Sequence, residues 1–193
     1  LVLDLVLNHT SDQHAWFRES RASNDNPKRD WYIWRPGRGD GPPNNWASTF
    51  GGSAWQFDPQ TGEYYYHFFF KGQPDLNWNN PAVRQAMLDV FRFWLERGVD
   101  GFRLDVFNAY FKDEQLRSNP RKWGIRPFDW QQHIHDIDQP EMVELLREVR
   151  GLLDQYPGRY MVGETFLGGA ERAAQYCGPD QLHAAFNFNF LAC

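Results

Sequence analysis

Apolar residues occur in this chain either as short unbroken runs or as stripes at spacings of three and four. Residues 1–7 are almost all apolar, interrupted by Asp4, and end in Asn8-His9-Thr10-Ser11. Such a run suits a parallel strand covered on both faces, with polar groups emerging at its C-terminal end. Further on, Val83, Met87, Val90, Phe91, Trp94 and Leu95 form one helical stripe, opened by Asn79 or Asn80 with Pro81 as first helical residue and closed by Gly98. A strand over 99–106 follows directly. A second stripe (Met142, Val143, Leu145, Leu146, Val149, Leu152, Leu153) begins after Pro140 and stops at Tyr156-Pro157-Gly158, before a strand over 159–164. A short helix over 170–176 and a fourth strand within 182–191 complete the pattern. Strands separated by helices predict right-handed βαβ units and a parallel sheet.

Two stretches break this rhythm. Residues 12–75 are rich in Asn, Asp, Gly, Pro and aromatics, with one clear β-like run over 63–70, expected to pair with the neighbourhood of 54–57. A structureless loop of that length is rare in a compact domain, so it is read as a small inserted subdomain. The expected organisation is a strand over 1–11, an insertion over 12–75 and a resumed α/β unit over 76–193. The second irregular stretch, 107–139, is a long loop.

Composition narrows the function classes. With 193 residues, 41% hydrophobic and 23% charged, the chain is neither disordered nor membrane-like. The net charge of -5 and the scattered Lys and Arg leave no footprint for nucleic acid or anionic lipid. Cys177 and Cys193 lack metal-ligand spacing, so no metal site is expected, and the sparse cysteines fit a reducing, cytoplasmic compartment. The N-terminus, with no initiator Met, looks cut, which leaves an upstream signal peptide open. Aromatics reach 17%, a share compatible with the stacking of sugar faces, though taken alone it more often means packing.

Candidate chemistry lies at the strand ends. In Gly101-Phe102-Arg103-Leu104-Asp105-Val106, Arg103 and Asp105 share one face and the apolar residues the other. A cation and an anion inside an apolar strand are either a structural pair or part of a site. His9, Asp105 and Glu164 each end a different strand, where parallel α/β folds assemble their sites. Asp105 and Glu164, from adjacent strand ends, suit a retaining glycosidase, which needs two carboxyl groups about 5 to 5.5 Å apart. Arg103 would keep Asp105 ionised, and Glu164, beside an anion in a partly dry pocket, would hold its proton more tightly.

Asp4-Leu5-Val6-Leu7-Asn8-His9, Gln73-Pro74-Asp75-Leu76-Asn77-Trp78, Gly101-Phe102-Arg103-Leu104-Asp105-Val106 and Gly163-Glu164-Thr165-Phe166 resemble, in order and spacing, four motifs of the alpha-amylase family of glycoside hydrolases. The Gln-Pro-Asp-Leu-Asn stretch is similar to the oligo-1,6-glucosidase and alpha-glucosidase branch. The resemblance implies part of a (β/α)8 TIM barrel, about strands three to six, with a small irregular α+β domain inserted after strand three. It makes Asp105 the nucleophile, Glu164 the acid/base, Arg103 the partner of Asp105 and His9 a donor to the bound sugar. Asn8 and Asp4 support them, Asp4 as a partner of Arg103. The implied substrate is a short alpha-glucoside and the implied chemistry needs no cofactor. Val106 resembles the residue of members that cleave alpha-1,6 linkages. Transglycosylating relatives such as trehalose synthase or sucrose isomerase share this machinery. The heavy subunits of amino-acid transporters resemble the barrel without needing the charged trio, and a plain α/β domain with structural charges is a third alternative.

The resemblance also has gaps. The final motif of the family, which supplies a third carboxylate, has no match, nor has the first strand-end loop, which carries a calcium site in many members. A full barrel takes roughly 250 residues. The chain therefore reads as an internal fragment, expected to be inactive and poorly stable alone.

Overall fold

The computed structural model describes residues 1–165, 167, 169–186 and 188. In chain order the elements are β1 (Val2–Leu5), α1 (Ala15–Ala22), β2 (Trp34–Arg35), β3 (Trp55–Asp58), β4 (Glu63–Tyr66), α2 (Pro81–Leu95), β5 (Gly101–Leu104), α3 (Glu141–Leu153), β6 (Tyr160–Gly163), α4 (Ala170–Ala174) and β7 (Ala184–Ala185). Single 3₁₀ turns occur at Arg29–Trp31, Phe107–Ala109 and Phe128–Trp130. The chain divides into two units, one of Leu1–Asn8, Arg84–Tyr110 and Pro140–Cys193, the other of His9–Val83 and Phe111–Gln139.

The first unit is built on a parallel sheet of order β1-β5-β6-β7. Phe102, Leu104 and Met161 are fully buried, as are Phe91 and Leu95 of α2 and Leu145, Leu146 and Leu153 of α3. The Phe91 ring meets Phe102 edge-on at 5.1 Å. Both helices present the stripe their spacing predicts. Asn80 caps α2 through its side-chain oxygen, 2.9 Å from the Ala82 N–H, and Gly98 ends it at φ 85°, a conformation natural to glycine. The strand expected over 99–106 is shorter, because the chain turns at Val106 (φ 43°, ψ 39°) into the 3₁₀ turn that follows. Of the fourth strand expected within 182–191, Ala184–Ala185 is β7; residues 187 and 189–191, and Cys193, lie outside the described residues, as does Phe166.

Gly163 closes β6 where no side chain fits. A Cβ there would lie 2.5 Å from Phe107 and 2.6 Å from Leu182, both fully buried. Gly163→Ala in a full-length protein is expected to lower stability by about 1–3 kcal/mol, the usual range for overpacking a tight core. Urea denaturation checks this, and an unchanged midpoint would mean that the two side chains yield freely.

The second unit holds a three-stranded antiparallel sheet of order β2-β4-β3. The expected hairpin forms, with Trp55 opposite Tyr66 and Asp58 opposite Glu63. Two elements were not anticipated. α1, capped by His14, buries only Phe17 and Ser20 and so leaves no stripe in the sequence; β2 has just two residues. Phe17 lies among Tyr32, Trp34 and Tyr65 at 5.0 to 5.7 Å, so the aromatic excess of this region is largely its core. The Arg29 guanidinium covers Trp34 at 3.6 Å, and Arg21 forks on the buried Asp58 at 2.7 and 2.9 Å. The segment 111–139 belongs to this unit as well.

Candidate active site

The parallel register of the first unit decides which polar side chains meet. Asp4 stands beside Arg103 across β1 and β5, and Arg103 beside Val162 across β5 and β6. The ladder runs one step further, Asp105 N–H donating to Leu5 O at 3.1 Å and Glu164 N–H to Leu104 O at 2.9 Å. Asp105 and Glu164 are thereby held at adjacent strand ends by backbone hydrogen bonds.

Arg103 joins the group. Its Nη1 donates to Asp4 at 2.7 and 2.8 Å and to Asp105 Oδ1 at 2.8 Å, while Nη2 donates to Glu164 Oε2. The side chains of Asp105 and Glu164 are 17% and 18% exposed and that of Arg103 25%, against 55% for Asp4, so the site is half dry with Asp4 at its wet edge. Burial works against the charge of Arg103, but the hydrogen bond it donates to Asp4 and the fields of Glu164, Asp105 and Asp4 hold its pKa above the ordinary value. Glu164 is raised, first by desolvation, then by a side-chain hydrogen bond with Asp105 and the charges of Asp105 and Asp4, with Arg103 pulling the other way. Both carboxyl groups accept from the one Arg103 guanidinium, at the strand ends where the sequence places them.

Immediately after Asp105, Val106 is buried in the left-handed region, which is costly for a β-branched residue, of order 1–3 kcal/mol. That bend takes the chain out of the strand and leaves Asp105 at its tip. Asn8, also in the first unit, is fully buried at the end of the β1 segment.

His9 is the first residue of the second unit. Its Nε2 lies 2.9 Å from Gln73 Nε2, and because Gln73 Oε1 accepts from Phe70 N–H at 3.3 Å, the amide nitrogen faces the ring and donates to it. The His9 ring also meets Phe69 edge-on at 5.3 Å; Phe69 lies 6.1 Å from Phe50, which stacks on Phe70 at 4.0 Å. Phe50 and Phe70 are 60% and 57% exposed, an aromatic wall that sequence reasoning missed because isolated Phe residues in an irregular stretch carry no period. Gln73 was visible only as part of a motif. In the same motif Asp75 accepts from Phe68 N–H at 2.8 Å and from Lys112 Nζ at 2.7 Å. Among the described residues, no group of three or more His, Cys, Asp or Glu side chains could hold a metal ion, and no helix is long and apolar enough to cross a membrane.

The model of the alpha-amylase catalytic domain matches residues 1–193 of this sequence. The chain belongs to the alpha-amylase family. Within that family it is 49% identical to a probable alpha-glucosidase of Rhizobium meliloti (strain 1021), covering 100% of this chain and 37% of the relative. It is 45% identical to an oligo-1,6-glucosidase of Parageobacillus thermoglucosidasius, covering 99% and 34%. Among solved structures, the alpha-glucosyl transfer enzyme XgtA superposes with a TM-score of 0.95 at 48% identity, over 98% of this chain and 38% of that one. The chain thus spans about a third of the length of the curated relatives it matches. The parallel sheet of the first unit is the part of the family's TIM-barrel-type α/β fold that it represents.

Proposed function

We propose that the full-length protein carrying this chain is a retaining alpha-glucosidase of the oligo-1,6-glucosidase or alpha-1,4-glucosidase type, acting on short alpha-glucosides. The observation that carries the reading is the meeting of Asp105 and Glu164 on the one Arg103 guanidinium, with desolvation raising Glu164. In this reading the first unit supplies about strands three to six of the barrel and the residues 12–75 are the inserted domain. Asp105, which accepts from Arg103, attacks the anomeric carbon while Glu164 gives its proton to the leaving oxygen. A covalent glucosyl ester forms at Asp105 and the aglycone alcohol departs. Glu164, now a base, takes a proton from water, which displaces Asp105 and releases alpha-glucose with net retention. For a sugar to enter, Glu164 must leave Arg103, and the ion pair with Asp4 keeps the guanidinium anchored meanwhile. His9 donates to the sugar, Asn8 supports it, and the chemistry uses no cofactor; any calcium belongs to parts outside this chain. The protein is read as cytoplasmic.

Relatives named as glucosidases support hydrolysis, and the likeness to a glucosyl transfer enzyme supports a second reading in which a sugar replaces water as acceptor. Proton NMR of the first product from isomaltose and maltose tests both. Alpha-glucose is expected first. Beta-glucose would overturn retention, and a new disaccharide in place of glucose would favour transfer. The same assay run against pH has an expected alkaline limb, where Glu164 loses its proton, above the ordinary carboxylate range of about 4 to 5, since desolvation raises that group.

A further inference from the structure

The segment after β5 carries a second cluster of side chains for which the glycosidase reading has no use. Within the second unit, residues 120–132 double back on themselves: Arg121 bridges Gln131, Lys122 N–H donates to Trp130 O at 2.8 Å and Gln132 N–H to Pro120 O at 2.8 Å. The tip closes tightly at Gly124, where a Cβ would lie 2.5 Å from the Asp129 carbonyl oxygen. Trp130 Nε1 donates to Gly124 O at 2.9 Å, and Arg126 forks on Asp129 at 2.9 and 3.1 Å. The base is fastened by the Asn45 side chain, which bonds the Asn119 N–H and carbonyl at 2.9 and 2.8 Å. These bonds hold open a concavity of about 620 Å³, whose walls include Asn45, Arg121, Lys122, Trp123, Gly124 and Trp130.

The walls are chemically selective. Trp123 is 94% exposed and Trp130 51%, an unusual area of indole to leave in water unless something covers it. Arg126 is already neutralised by Asp129, whereas among the described residues Arg121 and Lys122 form no ion pair, in a chain of net charge -5. Two cations without an ion pair, Lys122 within reach only of the field of Asp129, line the same concavity as two indoles, and in a volume within the 300–1,000 Å³ of small-molecule sites they call for an anion carried on a ring. A neutral sugar would leave the cations without a counterpart, and inorganic phosphate would leave the indole bare.

We propose that this concavity binds a phosphorylated hexose, its C–H face on Trp123 and its phosphate oxygens between Arg121 and Lys122. The choice of a hexose rests on the glucosidase reading; the binding measurement needs no turnover, so the two can fail separately. Full-length protein carrying Asp105→Asn is titrated with glucose 6-phosphate, glucose, inorganic phosphate and AMP while its Trp fluorescence is followed. Saturable quenching by glucose 6-phosphate is expected, at least about tenfold tighter than by glucose or phosphate. Trp123→Ala should abolish it and leave the circular dichroism spectrum unchanged. Arg121→Gln with Lys122→Gln should weaken binding at least about tenfold and leave the circular dichroism spectrum unchanged. No saturable signal, equal affinity for glucose or phosphate, tighter binding of AMP, or a Trp123→Ala protein that still binds glucose 6-phosphate normally by calorimetry would each overturn the proposal.

Discussion

Replacing Asp105 by Asn in the full-length protein is expected to lower kcat on isomaltose and maltose by on the order of 10⁴-fold or more, because an amide neither attacks the anomeric carbon nor stabilises the charge that develops there. Glu164→Gln should behave differently. It keeps a hydrogen-bonding group beside Asp105 but has no proton to give, a loss worth about 10²–10⁴-fold when the leaving group needs protonation. A nitrophenyl glucoside, whose leaving group departs unaided, should therefore still form the covalent ester in that variant, seen as a burst followed by a slow second step. Equal losses on both substrate types would count against Glu164 as the acid. The stability of the variant provides a control. A carboxyl whose folded pKa is raised contributes stability below its ordinary pKa and loses that contribution as pH rises through the raised value. At neutral pH Glu164→Gln should consequently be no less stable than the parent. If both variants retain full turnover, the two carboxylates are structural and the glycosidase reading fails.

The parts legible in the sequence were those with a period or a motif. Helices α2 and α3 follow from stripes that each bury one face, and β5 from a short apolar run bounded by glycine and a charged end. The meeting of Asp105 and Glu164 followed from strand polarity, since parallel strands in sequence order bring their C-terminal ends together, whereas the pairing of Asp4 with Arg103 came from the family resemblance. What stayed hidden was set by contacts between distant residues without period. α1 rests on one buried ring, the Phe50, Phe69 and Phe70 wall on loop geometry, and the left-handed turn at Val106 on surroundings that override the preference of a β-branched side chain.

Lys112 belongs to the same hidden class, and its removal is the second large effect expected. The Lys112 and Asp75 side chains are 2% and 0% exposed and 2.7 Å apart, and the ammonium lies 5.2 Å from the Tyr66 ring centre. Asp75 also accepts from Phe68 N–H, so the carboxylate fixes the chain on both sides of itself. Lys112→Met keeps most of the side-chain volume but leaves a buried carboxylate without its cation, which should destabilise the protein by about 3–5 kcal/mol. Asp75→Asn should lose a similar amount for the opposite reason, an ammonium left in a dry site. The double variant is the informative one. Once both charges are gone the desolvation penalty of each has gone too, so Lys112→Met with Asp75→Asn should cost well under the sum of the singles, with a coupling of about 1–3 kcal/mol in urea unfolding. Additive losses would mean that the two groups do not depend on each other and that water or another charge compensates each separately. A double variant as stable as the parent would mean that the pair adds no net stability, and that its place in the fold is to select which segment Asp75 packs against.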